Sequence, residues 1–226
     1  MSGRRWLAVV VAGLAVLAAV VASAASLTVT TQGLSGFKDC TLTAYPSSST
    51  VDTDNYVQED KPTTNNGSST EIDAGSAVTK IRRTFIRFDL TKCSPAIAGT
   101  ATIKEARLRL FMFTAPTATR TYGAYRVTTP CPEALATCWG QTTETWNNQP
   151  ATAGTATSSV ASGTTSSVYL DWTVTADVQA WVAGTASNYG LAVKDTHEDG
   201  TTQTAKFRSL ENNVNTAAPI LVITYQ

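Results

Sequence analysis

His197 is the only histidine of the 226-residue chain, and it lies in the polar stretch Asp195-Thr196-His197-Glu198-Asp199-Gly200. A serine or cysteine relay needs a base held against a nucleophile, and nothing in the spacing around His197 supplies one. Paired carboxylates can cleave a glycosidic bond. The candidates for that chemistry are Asp54, Asp89, Asp171 and Glu211, and each has a plainer role as the partner of a strand arginine or as a cap. No catalytic residue is assigned, and an enzyme is not expected.

Recognition chemistry is better represented. Arg87, Arg107, Arg109 and Arg126 fall on the polar side of three alternating segments. The planar fork of an arginine matches the carboxylate of a uronic-acid sugar at two points. The same arginines could instead pair with Asp89, Glu105 and neighbouring acids across an ordinary sheet face. Both readings stand at this point. Aromatic rings are the usual platforms for sugar rings. Trp146, Trp172 and Trp181 sit where packing is expected, which leaves Trp139 and Tyr122 as the candidates for exposed rings.

Hard oxygen ligands are also present. Asp52, Asp54, Asp195, Glu198 and Asp199 lie in loops or beside them, so a structural calcium is the one cofactor considered. No EF-hand spacing occurs, and turn chemistry alone accounts for Asp199-Gly200. The four cysteines are Cys40, Cys93, Cys131 and Cys138. An even number in an exported chain favours disulfides, with three possible connectivities. Cys131–Cys138 would close a short loop. Cys40–Cys93 would tie the N-terminal segment to the end of a strand. A cysteine metal site is the weaker reading, because there is no C-x-x-C pair.

Export is read from the first residues. Arg4 and Arg5 precede an apolar run from Leu7 to Val21, which ends in Ala22-Ser23-Ala24. This is the pattern of a secretory signal peptide over residues 1–25. Its removal leaves about 200 residues, enough for one sandwich domain. It also leaves 15 basic against 17 acidic residues, a net charge of −2. Neither nucleic acid nor an anionic membrane is attracted by that balance. The expected location is extracellular, with no membrane contact after cleavage.

The elements that must position these residues are mostly strands. In Arg82-Arg83-Thr84-Phe85-Ile86-Arg87-Phe88-Asp89-Leu90, one side carries Ile86, Phe88 and Leu90 and the other Arg87 and Asp89. Similar segments run over Val51–Val57, Ile103–Phe113, Tyr122–Thr128, Val168–Trp172, Leu191–Lys194 and Ala205–Ser209. Ile220–Tyr225 is almost continuously apolar and is placed centrally, with both faces covered. A weak first strand would draw on Leu27, Val29, Leu42 and Tyr45. Residues 151–166 are nearly all Ala, Thr, Ser and Gly and read as a mobile loop. One short helix is predicted, capped by Thr175, with Val178, Trp181 and Val182 on its apolar stripe and Gly184 past its end. The segments organise as a leader (1–25), an N-terminal stretch tied by Cys40 (26–50) and an all-β sandwich (51–226).

The order of motifs resembles a known family. Asp54-Asn55-Tyr56-Val57 is followed by Pro62, Asn65 and Gly67, then by Phe85-x-Arg87-Phe88-Asp89 and Ala106-x-Leu108-x-Leu110. Thr145-Trp146-Asn147-Asn148-x-Pro150 and Val174-Thr175-x-x-Val178-x-x-Trp181 come next. Asn188-x-Gly190-Leu191, Phe207-x-Ser209-x-Glu211 and Pro219-x-Leu221-x-x-x-Tyr225 complete the series. This resembles the DNRLRE, or disaggregatase-related, extracellular β-sandwich domains, over roughly residues 50–226. Gln141 stands where relatives often carry an acid, with Glu144 displaced from that place. The resemblance implies a jelly-roll-like antiparallel β-sandwich. It also implies a non-catalytic secreted module of the kind that includes alginate-binding domains. The expected partner is thus an extracellular polysaccharide, with an acidic one as the finer expectation, or a cell-surface component. The alternatives are a structural surface protein acting by cohesion, and a polysaccharide-degrading enzyme.

Overall fold

The computed structural model describes residues 36–44, 53–129, 140–212 and 215–226. The leader, Asp52, Cys131, Cys138 and Trp139 lie outside the described residues. The fold is all-β and sandwich-like, with antiparallel strands throughout. Its elements are β1 (Lys38–Thr43), β2 (Thr53–Gln58), β3 (Glu71–Ser76), β4 (Arg82–Arg87), β5 (Ile103–Thr114), β6 (Thr121–Arg126), β7 (Ser158–Ala161), β8 (Val168–Thr173), α1 (Thr175–Val182), β9 (Leu191–Asp195), β10 (Gln203–Arg208) and β11 (Ile220–Tyr225). No helix among the described residues is long and apolar enough to cross a membrane.

The long strand β5 is the axis of one layer. Its inward positions Ala106, Leu108, Leu110 and Met112 are fully buried, as its period of two requires. β8 pairs with one edge of β5, while β11 and then β10 pair along the other. β1 lies outside β11, and β3 lies outside β10. The second layer is β2-β4-β9-β6-β7. A single bridge, Gly75 to Arg82, carries the path from β3 into it. Residues of both layers meet in one core, centred on Trp172, Tyr122 and Phe207. Their rings meet edge to face, with Phe207 at 6.0 Å from Trp172 and 6.5 Å from Tyr122. The Trp172 Nε1–H donates to the Tyr122 carbonyl at 2.8 Å, a buried bond from β8 to β6. It satisfies a group whose burial would otherwise cost about 1–3 kcal/mol.

Several sequence expectations need correction. Residues 151–166 contain a strand, β7, paired with β6. Ladder bonds use backbone groups, so a run of Ser and Ala can form one where an edge is offered. β3 was not expected at all. Its only large inward side chain is Ile72, too little for a pattern. β11 does lie between two strands, but its Ile220, Val222 and Thr224 are only half-buried, so one face is open. The helix cap is Val174, and Thr175 Oγ1 instead accepts the Ala106 N–H at 3.0 Å. Gly184 ends that helix in the left-handed region, φ 70°.

Cys40 and Cys93 form the expected disulfide, their Cα atoms 5.5 Å apart. It joins β1 to the turn Leu90–Lys92 that follows β4.

Candidate functional site

The outer face of the second layer is not a plain solvated surface. Alternation along β4 puts Arg83, Phe85 and Arg87 on it, while Ile86 faces the core. The register aligns Arg83 with Val57, and Phe85 with Ala192 and then Tyr125. Gly123 aligns with Lys194. A loop lies over this face from residue 140 to residue 152. Val57, Phe85, Val127 and Ala192 form a small apolar cluster there, with Trp146 and Tyr189 packed on it.

Local hydrogen bonds shape the loop. The Thr145 N–H and Oγ1–H both donate to Asn148 Oδ1, at 2.6 and 3.0 Å, which winds Trp146–Asn148 into a 3-10 turn. Asn147 N donates to the Pro62 carbonyl at 3.1 Å. Asn65 Nδ2 donates to the Gln141 and Glu144 carbonyls, and Asn55 Nδ2 also donates to that of Glu144. The Asn-rich motifs on both segments are therefore the clasp of this loop.

Two cations sit side by side on the face, each against a ring. The Arg83 guanidinium carbon is 4.7 Å from the Trp146 ring centroid. Its Nε and Nη2 donate to the two Glu198 oxygens at 2.7 and 2.6 Å, and Nη1 donates to Gln149 Oε1 at 3.0 Å. Glu198 holds a left-handed backbone, φ 43°, which a non-glycine residue adopts seldom and at some cost. Lys194 Nζ is 4.1 Å from the Tyr125 ring centroid and donates to Thr152 Oγ1 at 2.9 Å. Burial, and then the nearby Arg83 charge, lower the Lys194 pKa. A Cβ at position 123 would fall 2.7 Å from the Tyr125 ring, so glycine there admits the ring. Arg83, Trp146, Tyr125, Lys194 and Gln149 all remain half-exposed. Ring faces suit the apolar face of a sugar, and adjoining cations suit its carboxylate.

The residues singled out from sequence fall elsewhere, and the four arginines do not share one face. Arg107 and Arg109 lie on the outer surface of the other layer. Arg107 pairs with Glu105 at 2.7 Å, and Arg109 pairs with Asp171 at 2.8 Å with its guanidinium 4.9 Å from the Tyr169 centroid. Arg87 shares the face of Arg83 but is buried, 6% exposed. Arg126 does not point away from the core. It is on the side of Tyr122 and Ala124, at the strand end beneath α1, 3.7 Å from Asp177. Tyr122, expected to be exposed, is wholly buried. Its place in the core follows from the alternation of β6, whose inner side is Tyr122 and Ala124 rather than Tyr125 and Val127. Arg83 and Lys194 were not singled out from sequence, and Trp146, expected to pack, does pack on the small apolar cluster while staying half-exposed. The spacing of Arg83 from Arg87 did signal a shared side, but the loop over it gave no local signal.

The calcium candidates are also dispersed. Asp195 and Asp199 both bind Arg120, each at 2.6 Å, and Arg120 holds the Asp199 carboxyl well below the usual range. Glu198 belongs to Arg83. Asp54 lies apart, fully buried, where Oδ2 accepts the Leu210 N–H at 2.6 Å. Among the described residues, no three His, Cys, Asp or Glu side chains are grouped to hold a metal ion.

Of the four acids considered for paired-carboxylate chemistry, the structure brings Asp54 and Glu211 together. Asp54 Oδ2 accepts the N–H of Leu210, next to Glu211, and burial raises the pKa of both acids. Glu144, nearby in the clasp, is 2% exposed and is likewise pushed up by burial.

Two comparisons bear on this geometry. The family model described as carbohydrate-binding module family 96 matches residues 45–225. No curated protein matches the chain.

Proposed function

Since the chain belongs to carbohydrate-binding module family 96, we propose that it binds an acidic extracellular polysaccharide on the outer face of β4, β9 and β6. The observation that carries this reading is the adjacency of Arg83 on Trp146 and Lys194 on Tyr125. Two cations beside two half-exposed rings are suited to a uronic-acid polymer, which offers a carboxylate and an apolar ring face in each residue. The resemblance to DNRLRE domains, some of which bind alginate, supports the same class of ligand. The Cys40–Cys93 disulfide suits an oxidising, extracytoplasmic setting.

Affinity electrophoresis on alginate, polygalacturonate and dextran tests it. The expected result is retardation by the two polyuronates, weakened by salt. The double variant Arg83→Ala, Trp146→Ala should lose at least about tenfold in affinity, since an anchoring contact typically carries more than 1 kcal/mol. Arg107→Ala with Arg109→Ala on the opposite layer should retain binding. Unaltered migration in both polyuronates, or loss only in the Arg107, Arg109 variant, overturns the assignment.

A further inference from the structure

Asp54 is 1% exposed, and its Oδ1 has no hydrogen-bond partner. Glu211 Oε2, on the facing carboxyl, has none either. Asp54 Oδ2 accepts the N–H of Leu210, the residue before Glu211, at 2.6 Å, which makes the two acids neighbours. None of the ion pairs formed between described residues includes either acid. Two neighbouring carboxylates, one of them fully buried, repel unless a cation lies between them or one keeps its proton. Neutral oxygens stand close by. Gln141 Nε2 lies 2.6 Å from the Gly67 carbonyl and also donates to Glu211 Oε1, so those two oxygens converge on one point. Gly67 is packed tightly there: a Cβ on it would fall 1.8 Å from the Gln141 carbonyl. Asn65 Nδ2 fixes that same Gln141 carbonyl at 2.8 Å.

We propose that Asp54 and Glu211, with the Gly67 carbonyl and the Gln141 side-chain amide turned to present its oxygen, form a calcium site. Calcium takes six to eight oxygens from carboxylates, carbonyls, amides and water. Two carboxylates, one carbonyl and one amide meet that chemistry, and water completes it. The site lies between β2, the loop after β10 and the start of the loop that carries Trp146. The bound ion therefore ties Gln141, five residues ahead of Trp146, to the sheet edge. This site is independent of the polysaccharide reading, and its test needs no glycan.

The experiment uses the full oxidised protein, stripped with EDTA and titrated with calcium chloride by isothermal calorimetry, with thermal unfolding in parallel. One calcium per chain is expected. At calcium about a hundredfold above its Kd, the Tm should rise by roughly 5–10 °C. Glu211→Gln should abolish both the heat and the Tm rise. Asp199→Asn, which removes an acid of the Arg120 cluster, should preserve them. If Glu211→Gln fails to fold, Gln141→Ala, which removes the amide ligand, should weaken calcium binding by about tenfold or more in its place. No uptake by the wild-type protein at millimolar calcium overturns the proposal, and so does an undiminished Tm rise in Glu211→Gln. A wild-type Tm that responds to acidification but not to calcium also overturns it, because a shared proton then holds the pair.

Discussion

Lys194 and Tyr125 face one another across neighbouring strands, the ammonium 4.1 Å from the ring centroid. Gly123, directly opposite Lys194 in the ladder, leaves room for the ring. Burial and Arg83 favour the neutral amine, so Lys194 sheds its proton at a lower pH than an exposed lysine. Retention on a polyuronate should thus weaken at alkaline pH before an ordinary lysine, near pH 10.4, would titrate. Lys194→Arg, whose guanidinium stays charged, should remove that dependence, whereas Lys194→Met should bind weakly at every pH. Affinity electrophoresis from pH 7 to pH 10 makes the comparison.

Glu198 already occupies the fork of Arg83, at 2.6 Å. A uronate carboxylate must compete with it. Glu198→Gln should therefore tighten polyuronate binding, by roughly two- to fivefold for an ion pair of this exposure. Binding to a neutral polymer should not change. Calorimetry with short oligouronates and neutral oligosaccharides measures both, and weaker oligouronate binding would contradict competition at Arg83.

The Cys40–Cys93 bond closes a segment of 53 residues. In the chain-entropy account, closing a loop of that length stabilises by about 4 kcal/mol. Cys40→Ala with Cys93→Ala should lower the Tm by roughly 10 °C. β1 lies in the layer opposite the Arg83 face, so polysaccharide retention at low temperature should survive. Calorimetric unfolding and affinity gels on the same sample separate the two effects.

Asp73 is 1% exposed and bonded to Arg82 through Oδ2, while Oδ1 has no partner. Arg82 and Lys206 draw its pKa down, yet burial outweighs them and pushes it up to about 6. A raised carboxyl pKa means the native state binds the proton more tightly than the unfolded chain. This contribution is full below the ordinary value near 3.9 and is lost as pH rises through about 6. Its size is about 3 kcal/mol. Urea unfolding at pH 3.5, 5 and 7 should show the wild type losing that much relative to Asp73→Asn. Parallel curves for the two proteins would contradict it.

The sandwich was legible because its signal is local. A strand with one buried face alternates in every pair of residues, so Ala106, Leu108, Leu110 and Met112 announce their own burial. The Cys40–Cys93 pairing, though favoured, was one of three connectivities open to four cysteines, and the tertiary structure made the choice. The sense of β6 was not readable. Tyr122 and Tyr125 are the same residue type on opposite sides, and only the neighbouring layer decides which ring is inside. β7 was missed because backbone bonds to an offered edge need no apolar side chain. The candidate site depends still more on distant segments. Arg83 and Lys194 meet through the β4–β9 ladder, and Trp146 is laid on Arg83 by a loop that Asn55 and Asn65 clasp over the sheet. The acids behaved in the same way. Periodicity says which side of its own strand a residue occupies, and nothing about what another segment lays against that side. Hence Asp54 and Glu211 could each be named as candidate acids from their type, while their pairing across 157 positions of the chain emerged only once the two layers had closed.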